Sequence, residues 1–131
     1  MTALVLDTGA LISLDRNDRT AWAMLRNAAD DSAQVSVPAG VVAQAWRGGS
    51  RQALLARALV HCDEVPLEGA LARSTGILCG RSGTADVIDA SVALVAAARS
   101  RTGPTALVTS DPTDLRRLLE TLDASVRLVT I

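Results

Sequence analysis

Lysine, phenylalanine and tyrosine are absent from this chain, histidine occurs once and cysteine twice. Each absence removes a class of function. Without Phe or Tyr, and with only Trp22 and Trp46 as aromatics, recognition of RNA by rows of stacked bases is not expected. A lone His61 excludes zinc chemistry of the histidine-rich kind. Cys62 and Cys79 fit neither a disulfide framework nor a zinc-ligand spacing. His61-Cys62 fills half a zinc shell and reads instead as part of a short strand. No stretch approaches the roughly 18 uninterrupted apolar residues of a membrane span. The start, Met1 to Asp7, has no basic region and meets an acid early, unlike a signal peptide. The expectation is a cytoplasmic protein with no membrane association.

What is present is one domain's worth of chain, 131 residues, about half of them apolar. That suffices for a core without staples. Net charge is −1, so no global field draws nucleic acid. All the basic residues are arginine, which can still grip phosphate in two-pronged fashion from a local patch.

Short apolar runs alternate with amphipathic segments. Strands are predicted at Ala3–Leu6, Gln34–Val37, Ala106–Thr109 and Val126–Ile131, and His61–Leu67 reads as a further strand or a connector. Helices are predicted after Asp7, over Thr20–Asp31, from Pro38 to about Arg47, from Ser50 through Val60, over Ala70–Cys79 ending at Gly80, from Asp86 through Ala98, and over Pro112–Leu122. Such alternation implies a parallel sheet with helices on both faces, in a single domain spanning 1–131.

Acids recur at equivalent places. Asp7 follows the first strand, and Asp111 follows Ala106–Thr109 after Ser110. Ligands of open parallel sheets bind beyond the carboxyl ends of strands. Asp86 and Asp89, three apart, share a face of one helix start, and Asp114 lies one turn beyond Asp111. Each acid alone reads well as a helix cap. Capping needs one acid per helix, and here two helices carry two each. So many carboxylates at one edge repel without a counter-cation. Hard oxygen donors suit Mg²⁺ or Mn²⁺, which polarise a phosphoryl oxygen and activate water. The acids therefore point to metal-dependent phosphodiester hydrolysis. Thr8, Thr109 and Ser110 are placed either to orient waters around such an ion or to make ordinary turn hydrogen bonds.

Four blocks, in order and spanning nearly the whole chain, carry a resemblance. They are Val5-Leu-Asp-Thr-Gly-Ala-Leu-Ile12, Val37-Pro-Ala-Gly-Val-Val-Ala-Gln-Ala-Trp-Arg47, Asp86-Val-Ile-Asp-Ala-Ser-Val-Ala-Leu-Val-Ala96 and Leu107-Val-Thr-Ser-Asp-Pro-Thr-Asp-Leu115. Together they resemble the PIN-domain ribonucleases, specifically VapC-like toxins of toxin–antitoxin pairs. The resemblance implies a three-layer α/β sandwich around a parallel sheet and an acidic Mg²⁺/Mn²⁺ site. It also implies endonucleolytic cleavage of RNA (transfer or ribosomal RNA would fit), an antitoxin partner that blocks the site, and a homodimer. Asp7, Asp89 and Asp111 match the family's metal-binding aspartates, and Asp86 and Asp114 match acids of some members. One position departs: Gln44 stands where the second block usually has glutamate. Glutamine keeps an oxygen donor but loses a charge and cannot serve as a base.

Two other small α/β families fail on single residues. A receiver domain needs a lysine. A haloacid-dehalogenase-type phosphatase needs a second acid at the position held by Gly9. The rival that survives is a PIN-like protein weakened by Gln44, binding antitoxin or RNA with poor cleavage. For RNA contacts, Arg47 and Arg51 flank Gly48-Gly49 as a phosphate clamp or as a solvated helix end. Trp46, beside Val42, reads as core or as a stacking platform. The helix around Trp22 and Met24 reads as core or as a groove for a partner helix.

Overall fold

The computed structural model describes residues 1–131. Five parallel strands, β1 (Ala3–Leu6), β2 (Gln34–Pro38), β3 (Asp63–Val65), β4 (Thr105–Thr109) and β5 (Arg127–Thr130), form one sheet in the order β3-β2-β1-β4-β5. Seven helices connect them: α1 (Thr8–Asp15), α2 (Arg19–Asp30), α3 (Ala39–Ala45), α4 (Ala53–Leu59), α5 (Gly69–Ser82), α6 (Val87–Ser100) and α7 (Pro112–Thr121). A single 3-10 turn, Ser50–Gln52, precedes α4.

β1 and β4 are wholly buried, as expected for central strands covered on both faces. α1 packs on α2 and α4 on one side of the sheet; α5, α6 and α7 pack together on the other, with α6 lying across β1, β2 and β4. Val5, Leu11, Val37, Leu107, Val92 and Leu118 lie in the shared core with essentially no exposed surface. The parallel sheet with helices on both faces, expected from the alternation, is the architecture observed, a three-layer α/β sandwich. No helix is long and apolar enough to cross a membrane.

The order of the strands positions the site. From β1 the chain steps outward to β2 and β3, then returns over the sheet to place β4 on the other flank of β1. The carboxyl ends of β1 and β4 therefore meet at a switch point, where connections leave to opposite sides and a crevice opens.

Several boundaries differ from the sequence reading for local reasons. α3 stops at Ala45, two residues before Arg47. Trp46 takes an extended conformation (ψ 130°), and the buried Gln52 accepts from the backbone N–H of Arg47 and of Gly48 while donating to the Ala45 carbonyl. α5 runs past Gly80 and ends at Gly83, whose left-handed backbone (φ 74°) supplies the cap, its N–H reaching the Cys79 carbonyl. β3 shrinks to three residues, leaving His61 exposed in the preceding turn.

Candidate metal centre at the strand ends

Asp7 ends β1. Its N–H bonds to the Val108 carbonyl of β4 at 3.0 Å, so the ladder continues to the residue itself. Its carboxylate is 8% exposed and is held at both oxygens. Oδ1 accepts from the Thr8 N–H at 2.7 Å, as a cap for α1. Oδ2 accepts from the Thr109 hydroxyl at 2.9 Å. Thr109 Oγ1 also accepts from the Asp111 N–H at 3.1 Å. One buried hydroxyl thus ties the end of β1 to the turn after β4.

The close approach of these two ends needs a glycine. A Cβ added at Gly9 would lie 2.2 Å from Ser110 Oγ, 2.6 Å from Ser110 Cβ and 2.9 Å from the Ser110 backbone nitrogen. No real Cβ sits that close, and the last contact is backbone that cannot swing aside. Gly9 and Ser110 therefore set the distance between the first turn of α1 and the Asp111 turn. A second glycine, Gly40, lets α3 rest on α6: a Cβ there would meet Ile88 Cγ1 at 3.1 Å.

The remaining acids arrive on helix starts. Asp86 caps α6, its Oδ1 accepting from the Asp89 N–H at 2.9 Å. Asp89 lies in the first turn of α6 and is half-buried. Asp111 occupies the cap position of α7, yet its side chain makes no cap bond. The exposed Asp111 and Asp114 carboxylates are both free to turn toward a ligand.

Electrostatics ties the five together. Burial raises the Asp7 carboxyl above its ordinary value, against the Thr8 and Thr109 hydrogen bonds, and the charges of Asp86 and Asp111 raise it further. Asp89 is pushed up to about 7, first by burial, then by the charges of Asp86 and Asp7, with Asp114 adding to them. Mutual repulsion of this kind is relieved by a cation. No three of these carboxylates converge as a ready-made ligand set. The donors fit a hard divalent ion in kind: carboxylates at one edge, two of them disfavouring their own charge, and two, Asp111 and Asp114, without a side-chain hydrogen-bond partner.

Gln44 reaches the same place. The Thr8 hydroxyl donates to Gln44 Oε1, so the residue that stands for an expected glutamate does face Asp7's neighbour. Ser110 is exposed above Gly9. Thr8, Gln44, Thr109 and Ser110, expected from sequence to surround the acids, are all at this edge. Gly9 and the buried Gln52 are additions that the sequence reading does not supply. A glycine one residue past Thr8 is the available signal for the first; nothing local marks the second.

The other expectations fare differently. Arg47 turns back on its own helix, Nη1 donating to the carbonyls of Ala43 at 3.2 Å and Trp46 at 2.8 Å, while Arg51 is exposed in the 3-10 turn. Trp46 is not core: it is 40% exposed and walls an open cleft of about 410 Å³ with Val42, Ala56, Leu59 and Val60. Met24 faces inward against Leu6, Leu14 and Val108, which settles the helix around it as packing on that side. Cys62 is pushed up to about 12 by burial, with Glu64 and Asp63 adding to the effect, so its free thiol stays protonated at neutral pH.

No protein-family model matches the chain, and no curated protein matches it. Solved structures do. The fold is similar to a chain of VapBC2 from Rickettsia felis bound to a promoter DNA fragment, at 15% identity, covering 99% of both chains with a TM-score of 0.69. It is similar to a chain of FitAcB from Neisseria gonorrhoeae at 18% identity, covering 95% of this chain and 96% of that one, TM-score 0.61. A chain of FitAB bound to an IR36 DNA fragment matches at 17% identity, covering 95% and 94%, TM-score 0.58. At such identities the likeness speaks for the fold.

Proposed function

We propose that this chain is a metal-dependent endoribonuclease acting as the toxin of a toxin–antitoxin pair. The observation that carries the reading is the nearness of Asp7, Asp86, Asp89, Asp111 and Asp114 at the β1/β4 switch point, where burial and the charges of Asp86 and Asp111 raise the Asp7 carboxyl, and burial and the charges of Asp86, Asp7 and Asp114 raise that of Asp89. Asp7, Asp89 and Asp111 would hold Mg²⁺ or Mn²⁺, with Asp86 and Asp114 adding negative charge. The ion supplies polarisation of a phosphoryl oxygen and activation of water. The protein's part is to hold the donors. Thr109 and the Thr8 N–H fix the orientation of Asp7. Gly9 lets the Asp111 turn come near.

The likeness to a chain of a VapBC complex supports the toxin assignment, because the four sequence blocks resemble the same VapC class. By that reading the partner is a cognate antitoxin, the substrate is transfer or ribosomal RNA, the active form is a homodimer, and the protein works in the cytoplasm.

A second reading rests on Gln44. Its Oε1 is occupied by the Thr8 hydroxyl and it brings no charge. A protein lacking that charge would bind antitoxin or RNA and cleave poorly. Cleavage of RNA in Mg²⁺ or Mn²⁺, with and without chelator, separates the two: ion-dependent cleavage lost in Asp7→Ala supports the nuclease, and retained RNA binding without cleavage supports the alternative.

A further inference from the structure

A second charged feature lies at the other end of α1. The helix closes with Asn17 in the left-handed region (φ 59°), its N–H bonding to the Leu14 carbonyl and that of Asp18 to the Ser13 carbonyl. This turn lays α2 beside α4. Arg19, Trp22 and Arg26, spaced three and four apart, form one ridge of α2. Leu54 and Arg57, three apart, face them from α4. Between the ridges is a cleft of about 270 Å³ lined by these five residues and Asn17.

The cleft gathers three guanidinium groups, those of Arg19, Arg26 and Arg57. None has a carboxylate within ion-pair distance, the chain's single ion pair being that of the amino terminus with Asp31. Arg19, Arg26 and Arg57, like all the chain's arginines except Arg47, Arg81 and Arg99, donate no side-chain hydrogen bond within the protein and keep their donors for a ligand. Trp22 is held by its indole N–H, which donates to the Leu14 carbonyl at 3.0 Å, and its half-buried ring forms part of the cleft wall.

We infer that the Arg19–Trp22–Arg26/Arg57 cleft binds a stretch of single-stranded RNA away from the cut bond, the arginines taking phosphates and the indole a base. Guanidinium groups match phosphate geometry with paired donors. An aromatic ring between two of them along one ridge matches the alternation of base and phosphate in a single strand. An acidic peptide would use the charges but has no base to set on the ring. The cleft lies at the far end of the eight-residue α1, roughly 12 Å along the helix from Asp7, a span of a few nucleotides. The inference extends the nuclease reading by naming where its substrate is held.

The test is binding of a fluorescein-labelled single-stranded oligouridylate to the full chain, by anisotropy, in chelator so that nothing is cut. The Arg19→Ala/Arg26→Ala/Arg57→Ala variant should bind at least about tenfold more weakly. Its dependence of log Kd on log salt should fall by about 2, near 0.7 for each of three phosphates no longer neutralised. In Trp46→Phe, where Trp22 is the sole tryptophan, the oligonucleotide should quench the remaining fluorescence. Unchanged affinity and salt slope, or no quenching, overturns the inference. So does a polyglutamate peptide that binds the wild type more tightly than RNA through the same arginines. The nuclease reading fails separately: arginine-dependent binding with no ion-dependent cleavage leaves the cleft standing alone. Cleavage unaffected by the triple substitution, with unchanged binding, removes the cleft alone.

Discussion

The Thr109 hydroxyl donates to Asp7 Oδ2 at 2.9 Å across the β1/β4 boundary, from a side chain with no exposed surface. The hydroxyl oxygen in turn accepts the Asp111 N–H. Thr109→Val keeps the shape and removes both bonds, leaving a buried carboxylate oxygen and a backbone donor without partners. A loss of about 1–3 kcal/mol is expected, measurable by urea denaturation. Thr109→Ser should recover most of it. Cation affinity should fall about tenfold in the valine variant, because the orienting partner of a ligand is gone.

Gly9→Ala should also destabilise, against the usual trend. Alanine in a helix interior ordinarily gains about 0.5–1 kcal/mol over glycine. Here its Cβ would meet the Ser110 backbone nitrogen at 2.9 Å. Trimming the neighbour in Gly9→Ala/Ser110→Gly removes the side-chain clash and leaves the backbone one, so thermal unfolding should show only partial recovery. Full recovery would mean that the Ser110 side chain alone sets the spacing.

Gln44→Glu adds a charge beside Thr8 while keeping an acceptor for its hydroxyl. Titration with Mn²⁺ should show tighter binding, and cleavage should rise with it. In chelator the same variant should be less stable than wild type, since it adds a like charge to a repelling group. Unchanged affinity would place Gln44 outside the ion's reach.

The raised acids set a pH dependence. Asp89 is pushed up to about 7 in the folded chain, from an ordinary value of 3.8, and Asp7 is also raised. The folded state therefore holds protons that the unfolded chain has released. The stability this gives is full below about pH 4 and is lost as pH rises through 7. In chelator, urea midpoints should fall between about pH 4 and 7, and Asp89→Asn should flatten that fall. Mg²⁺ or Mn²⁺ should restore stability most at the alkaline end, where the carboxylates are charged. A midpoint that rises with pH over this range in chelator would contradict the repulsion described.

What is legible in the sequence follows from local rules. Ala3–Leu6 and Ala106–Thr109 read as buried parallel strands because they are continuous and apolar, and the acids after them stand out once the sheet is parallel. Contacts between distant segments are not legible. Thr109 looks like a turn residue because its partner is 102 positions away. Gly9 looks like an ordinary early-helix glycine because Ser110 is what it meets. α3 reads too long because Gln52 captures the Arg47 and Gly48 amides from the next element. Gly80 suggests a helix end, whereas Gly83, three residues on, supplies the left-handed cap; composition alone does not choose between them.

The central claim is that these strand-end carboxylates hold an ion that cuts RNA. The direct measurement is cleavage of total transfer and ribosomal RNA by the purified chain in Mg²⁺ or Mn²⁺, repeated with chelator and with Asp7→Ala. The account predicts discrete cleavage products that vanish under both conditions. Cleavage that survives chelator and Asp7→Ala alike would contradict it.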